Sequence, residues 1–325
     1  CAERANVVRL EAPAPPALVE RGPYLVELSD STAVIRWTTR RPLASGLELY
    51  AANETIVGRT DTLRRSHTFR LRGLRPRSRY AYRILLAESV RSTPVTFMTF
   101  PRPGERVPIT FLVVEDTGSG GPDQLSLARV LNREEAGFLL HVGDIAYPAG
   151  TVRTYSDRFF AVYRPLLARA AFFPVPGNHD LLLGGQAFIE AFTPPDGRAS
   201  GSPFHYAFTV GNARFIALQF RSRPRTRLAR GHRIGTARLA RPRAPNGALR
   251  PAYRLDHRLP APSPLQRLDR ALRIWLELES PRGPGTLFDA YGVHLVFAGH
   301  DHDYHVRRRS VARRSSIRAA APSTM

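Results

Sequence analysis

Between residues 22 and 99 apolar and polar positions alternate in short runs separated by turn residues. Residues 32–37 (Thr-Ala-Val-Ile-Arg-Trp) follow this rule, as do residues 66–71, 80–84 and 94–99. A period of two puts every second side chain on one face, so these runs predict half-buried strands of an antiparallel β-sandwich over residues 22–100. Trp37 and Tyr80 are expected to pack in its core. Residues 101–108, bounded by prolines, read as a linker. Beyond it the period changes. Residues 109–114 and 137–142 are nearly continuous apolar runs, as expected of strands buried on both faces. Leu125, Ala128 and Leu131 recur at helical spacing, and Phe159, Phe160, Tyr163, Leu166 and Leu167 mark a second helix face. Residues 172–175, 213–218 and 293–298 supply three more apolar strands. Strands alternating with helices predict an α/β domain whose strands end in functional loops.

The pattern fails twice. Residues 220–285 predict no strand, and Arg, Pro and Ala make up 33 of those 66 positions. Residues 305–325 form an Arg-rich tail, so the C-terminal part reads as irregular. The charge follows the same division. The 325 residues carry a net charge of +21, all 48 basic residues being Arg. Residues 220–285 hold 16 Arg against 4 acidic residues, and residues 305–325 hold 6 Arg and none, so these stretches account for 18 of the 21 charges. The rest is nearly neutral, and no specific nucleic-acid partner is expected. Two readings remain for the basic stretches: GC-rich DNA translated out of frame, or a basic insertion and tail able to bind polyanions.

A hydrophobic fraction of 43% suffices for a core, while no apolar run reaches the length of a membrane-spanning helix. The one cysteine, Cys1, excludes a disulfide framework. Followed by an Ala/Pro-rich stretch over residues 1–21, it reads either as a lipidated anchor on a tether or as the edge of a fragment. The first reading predicts export to a bacterial surface or periplasm.

Four of the α/β strands run into loops bearing metal-ligand residue types. They are Asp116-Thr117-Gly118, Gly143-Asp144-Ile145-Ala146-Tyr147, Gly177-Asn178-His179-Asp180 and Gly299-His300-Asp301-His302. One such loop would be unremarkable. Four, each with glycine beside Asp, Asn or His, point to a metal site that the backbone approaches closely. His141 lies within a strand and is expected to pack rather than ligate, and His205 and Tyr206 are expected in core or surface.

This set of motifs resembles the calcineurin-like metallophosphoesterase superfamily. Gly118, where many relatives carry a histidine, and Tyr147 resemble its purple acid phosphatase branch. Leu74-Arg75-Pro76 ahead of Tyr80 resembles the fibronectin type III pattern, a domain that precedes the catalytic one in that branch. The resemblance implies an αββα-type metallophosphoesterase domain over residues 109–304 and a dinuclear centre. Asp116, Tyr147 and His302 would hold Fe(III), Asp144 would bridge, and Asn178 and His300 would hold zinc, iron or manganese. His179 would protonate the leaving alcohol of a phosphate ester, with Asp180 orienting its ring. The family also uses one further histidine, which no segment here matches; His257 is the nearest substitute. Phosphomonoester hydrolysis is therefore the first expectation. Phosphodiester hydrolysis, or a catalytically impaired surface protein, stands beside it.

Overall fold

The structure, a computed structural model, describes residues 17–51, 54–86, 90–193, 202–219, 275–277 and 293–300. The tether before residue 17, His257, Asp301, His302 and the Arg-rich tail lie outside the described residues.

The N-terminal part contains β1 (Val19–Leu28), β2 (Thr32–Ala51), β3 (Glu54–Arg72), β4 (Arg79–Leu86), β5 (Val90–Arg91) and β6 (Val95–Met98), all paired antiparallel. The alternating runs at 32–37 and 66–71 are halves of longer strands. The first half of β2 pairs with β1 and the end of β3, and its second half pairs with β4 and the start of β3. Register shifts between Thr38 and Ser45 mark where the strand passes from one set of partners to the other. Bulges bend a strand in this way, and here they let Ile35, Trp37, Leu47, Tyr82 and Ile84 share one buried cluster. Trp37 stacks on Phe69 and His67 with ring centroids 5.3 and 5.4 Å apart. The Tyr80 hydroxyl accepts the Arg75 N–H at 2.8 Å, pinning the turn that begins at Leu74. β1 starts at Val19, so the sandwich begins inside the stretch expected to be tether, and Val19 and Arg21 are buried.

The second part is built on two three-stranded sheets. β7 (Phe111–Val114), β8 (Phe138–His141) and β9 (Ala171–Pro174) are parallel, in that order. β10 (Tyr206–Val210) runs antiparallel to β11 (Ala213–Gln219), which pairs parallel with β12 (Trp275–Glu277). Phenylalanines pack between the sheets: Phe138 meets Phe208 and Phe215 at 5.7 and 5.2 Å, and Phe173 stacks on Phe208 at 3.8 Å. On the outer face of the parallel sheet, Leu139 and Phe172 pack with residues of α1 (Pro122–Leu131), α3 (Arg164–Arg169) and α5 (Gln186–Phe192). Burial on both faces explains the unbroken apolar runs.

Four expectations are corrected. β12 lies inside residues 220–285, where no strand was expected; its three residues are too short to show a period. The buried side of α1 is Gln124, Ala128 and Leu131, while Leu125 is exposed, because Gln124 turns inward to bind the Gly120 N–H and the Arg158 carbonyl. The face at 159–167 is buried throughout but is not one helix. After α2 (Val152–Tyr155) it is divided between a π-helical turn (Ser156–Phe160) and α3, which begins at Arg164 with Pro165 in its first turn, where a proline that cannot continue a helix from upstream is tolerated. Residues 293–298 carry no strand, with Phe297 against Phe111 at 6.3 Å.

The two parts share one core. A single cluster runs from Trp37 and Tyr82 through Phe100 to Phe138 and Phe173. Tyr24 bonds the Ala191 carbonyl at 2.9 Å and Tyr82 that of Ala168 at 2.7 Å, while the buried Arg21 bonds Ser156 Oγ at 2.9 Å and lies 4.7 Å over the Phe160 ring.

Candidate metal centre

The expected ligands leave the C-terminal edge of the parallel sheet. Asp116 follows β7, Asp144 follows β8, and Asn178 opens α4 (Asn178–Leu181) just after β9. His300 ends the described segment at 293–300. Asp116, Asp144 and His300 have positive φ values of 50°, 50° and 95°; among the described non-glycine residues only Arg77 joins them. Such conformations cost of order 1–3 kcal/mol each and persist where surrounding structure holds them, commonly at functional sites. Glycine is required at two neighbouring positions. A Cβ on Gly177 would fall 2.1 Å from Asp144 Oδ1, and one on Gly118 would fall 2.2 Å from the Ala146 Cα.

Five of the six expected donors converge. The Tyr147 hydroxyl donates to Asp116 Oδ1 and lies 3.3 Å from Asp144 Oδ2. Asp144 Oδ1 accepts the His179 backbone N–H at 2.8 Å, and Asp116 Oδ2 that of His300 at 3.4 Å. His300 Nδ1 is 3.0 Å from Asn178 Oδ1. The sixth, His302, lies outside the described residues. Burial raises the Asp144 pKa, the His179 N–H opposes that shift, and the nearby Asp116 charge adds to it. Burial, then the bond to Asp116, raises that of Tyr147. Two carboxylates and a phenol crowded together, with one hydroxyl proton shared between them, form an oxygen donor set suited to a hard cation, and the amide and imidazole of Asn178 and His300 suit a borderline one. The residues present therefore fit a two-cation centre. Among the described residues no group of three His, Cys, Asp or Glu is placed to hold a metal ion by itself; two of the five donors here are a phenol and an amide.

His179 packs its ring 4.5 Å from that of Tyr147, and its Nδ1 lies 2.7 Å from the Pro148 carbonyl oxygen. That carbonyl accepts the Nδ1 proton, which fixes Nε2 as the ring nitrogen outside this bond. The expected role of Asp180 is corrected accordingly. Its carboxylate accepts bonds from the Gly177 N–H at 2.8 Å, the Ile145 N–H at 3.1 Å and the Tyr155 hydroxyl at 2.9 Å, and does not touch the His179 ring. It ties the Asp144 loop to the Asn178 loop from beneath, and burial pushes its pKa up to about 7 against those three donors.

Further supports carried no signal in the sequence. Arg158 donates to the carbonyls of Tyr147 at 2.8 Å and Ser119 at 3.0 Å, clamping the loops of two donors. His141, fully buried as expected, lies 2.9 Å through Nε2 from the Thr117 hydroxyl. Tyr206 is buried with its hydroxyl on the Pro174 carbonyl, and His205 is exposed.

The sequence profile of the calcineurin-like phosphoesterase family matches residues 109–304. Among solved structures, a purple acid phosphatase from yellow lupin (Lupinus luteus) seeds is similar to the chain with a TM-score of 0.52 and 18% identity, over 61% of this chain and 45% of that one. PhoD is similar with a TM-score of 0.48 and 17% identity, over 62% and 52%. The chain thus spans about half the length of these two structures. No curated protein matches its sequence.

Proposed function

The chain belongs to the calcineurin-like phosphoesterase family, and from that membership we propose that it hydrolyses phosphate monoesters at a centre pairing Fe(III) with a divalent zinc, iron or manganese ion. The observation that carries this reading is the Tyr147 hydroxyl directed onto the Asp116 and Asp144 carboxylates. A phenolate between two carboxylates favours a trivalent cation. Asp116, Tyr147 and His302 would hold it, Asp144 would serve both ions, and Asn178 and His300 would hold the divalent one.

When bound, two such cations supply Lewis acidity toward water and offset charge on the phosphoryl oxygens. The chain's own residues supply the rest. His179 Nε2 donates a proton to the ester oxygen as the bond from phosphorus to that oxygen breaks. A water oxygen takes its place on phosphorus, leaving inorganic phosphate and an alcohol. Pro148 holds the imidazole through Nδ1 while this happens. Asp180, braced by three donors, keeps Asp144 and His179 in register.

A second reading, an impaired enzyme, is favoured by one feature of the sequence: the family uses one further histidine that no segment of this chain matches. Metal analysis, visible absorption and turnover of a chromogenic monoester and diester test both. Two metals, a visible band lost in Tyr147→Phe, and faster monoester turnover are expected. Colourless active protein would overturn the iron assignment. Turnover favouring the diester would overturn the monoester assignment, and absence of any turnover would favour the impaired reading.

A further inference from the structure

We propose that Leu182 and Leu183 form an apolar lip beside His179, and that the preferred substrates are phosphate monoesters of apolar alcohols. The inference rests on the phosphatase reading above.

Helical backbone continues from α4 through Leu182, whose φ and ψ are −54° and −37°. Residues three positions apart share a helix face, so Leu182 follows His179 on its own side of the turn, and Leu183 comes next in the turn closed by the Gly184 N–H on the Leu181 carbonyl. Helical side chains tilt toward the N-terminus, which leans Leu182 back over the turn that carries His179. Both are about two-thirds exposed, at 66% and 65%. One exposed leucine is ordinary. Two in succession, the first on the face of the proton donor, are placed where the substrate's carbon must go. His179 gives its proton to the ester oxygen, so the carbon bonded to that oxygen lies just beyond Nε2. Gly184 and Gly185 follow with φ of 88° and 76° and add no side chain. Residues 182–185 therefore offer a leaving group apolar contact and no side-chain hydrogen bond. A polyhydroxylated alcohol would lose water there without replacement, whereas an alkyl or aryl group would gain from burial.

The test uses n-alkyl phosphates from methyl to octyl, whose leaving-group acidities are nearly constant, and the matching n-alkylphosphonates as non-hydrolysed competitors. In the wild-type chain kcat/KM should rise and the phosphonate inhibition constant fall by roughly twofold per methylene over the first carbons, about half the effect of complete burial. In Leu182→Ser/Leu183→Ser the octyl-to-methyl ratio should drop about tenfold, and Leu182→Met/Leu183→Met should restore it. A flat chain-length profile with methyl phosphate still turned over would overturn the lip and leave the phosphatase reading standing. No turnover of any ester would overturn both. Sedimentation showing that the serine variant dissociates an oligomer without changing selectivity would reassign the pair to a contact between chains, and overturn the lip too.

Discussion

The Thr117 hydroxyl and His141 Nε2 lie 2.9 Å apart beneath the site, joining the loop that bears Asp116 to the strand that leads into Asp144. The contact is fully buried on the histidine side, and burial lowers the His141 pKa to about 3. An imidazole held neutral can serve both loops without adding charge under two carboxylates.

That depression has a pH consequence. In the unfolded chain His141 takes up a proton near pH 6.5, whereas the folded chain refuses it until about pH 3. The unfolded state therefore binds more protons between these values, and stability falls as pH drops through the window. One such group contributes a slope of about 1.4 kcal/mol per pH unit. His141→Gln keeps a group able to reach Thr117 but cannot titrate. Denaturant unfolding between pH 7 and pH 5 should show a shallower dependence in the variant by about that amount. His67, also lowered by burial, retains its own share in both proteins. Equal slopes would mean that His141 titrates normally.

Gly177 touches Asp144 so closely that no side chain fits. An added Cβ would sit 2.1 Å from Oδ1 and 2.2 Å from the backbone nitrogen of Asp144. Gly177→Ala must therefore displace the proposed bridging carboxylate. A displacement near 1 Å is expected to lower kcat/KM by about 10²-fold. Asp144→Asn removes the charge without the clash and should also stop turnover. Wild-type activity in either variant would contradict the assignment of Asp144.

Tyr155 supplies one of three bonds to the buried Asp180 carboxylate. Tyr155→Phe leaves that carboxylate with two backbone donors, and loss of a buried bond of this kind costs roughly 1–3 kcal/mol. Chemical denaturation at neutral pH should register the loss. An unchanged midpoint would show that Asp180 does not depend on the phenol.

Because one cluster crosses from the sandwich to the α/β part, both should unfold in one calorimetric transition. Arg21→Ala removes bonds to Ser156 and Val152 and the contact over Phe160. It should lower stability by roughly 1.5–3 kcal/mol while leaving a single transition. Two resolved transitions in the wild type would show that the parts are independent.

The local pattern alone carried the classes of structure and the chemistry of the loops. The continuous apolar run at 137–142 follows from a strand buried on both faces, a property written residue by residue, whereas the period of two at 32–37 understated burial: Ala33, Val34 and Ile35 are all buried, Ile35 in one apolar cluster and Val34 in the other. Asp116, Asp144, Tyr147, Asn178 and His300 were legible because each sits within a few residues of a strand end or a glycine, where its type stands out. The tertiary structure decided what touches what. Asp180 adjoins His179 in the chain, yet its carboxylate turns to Ile145, Gly177 and Tyr155, and a carbonyl 31 residues away orients the imidazole instead. Gln124 displaced Leu125 from the buried face because a polar partner at Arg158 awaited it. β12 found β11 across a long separation that no periodicity in three residues could announce. Periodicity records whether a side chain is buried, whereas partner choice depends on strand register and loop closure, which exist only once distant segments have packed.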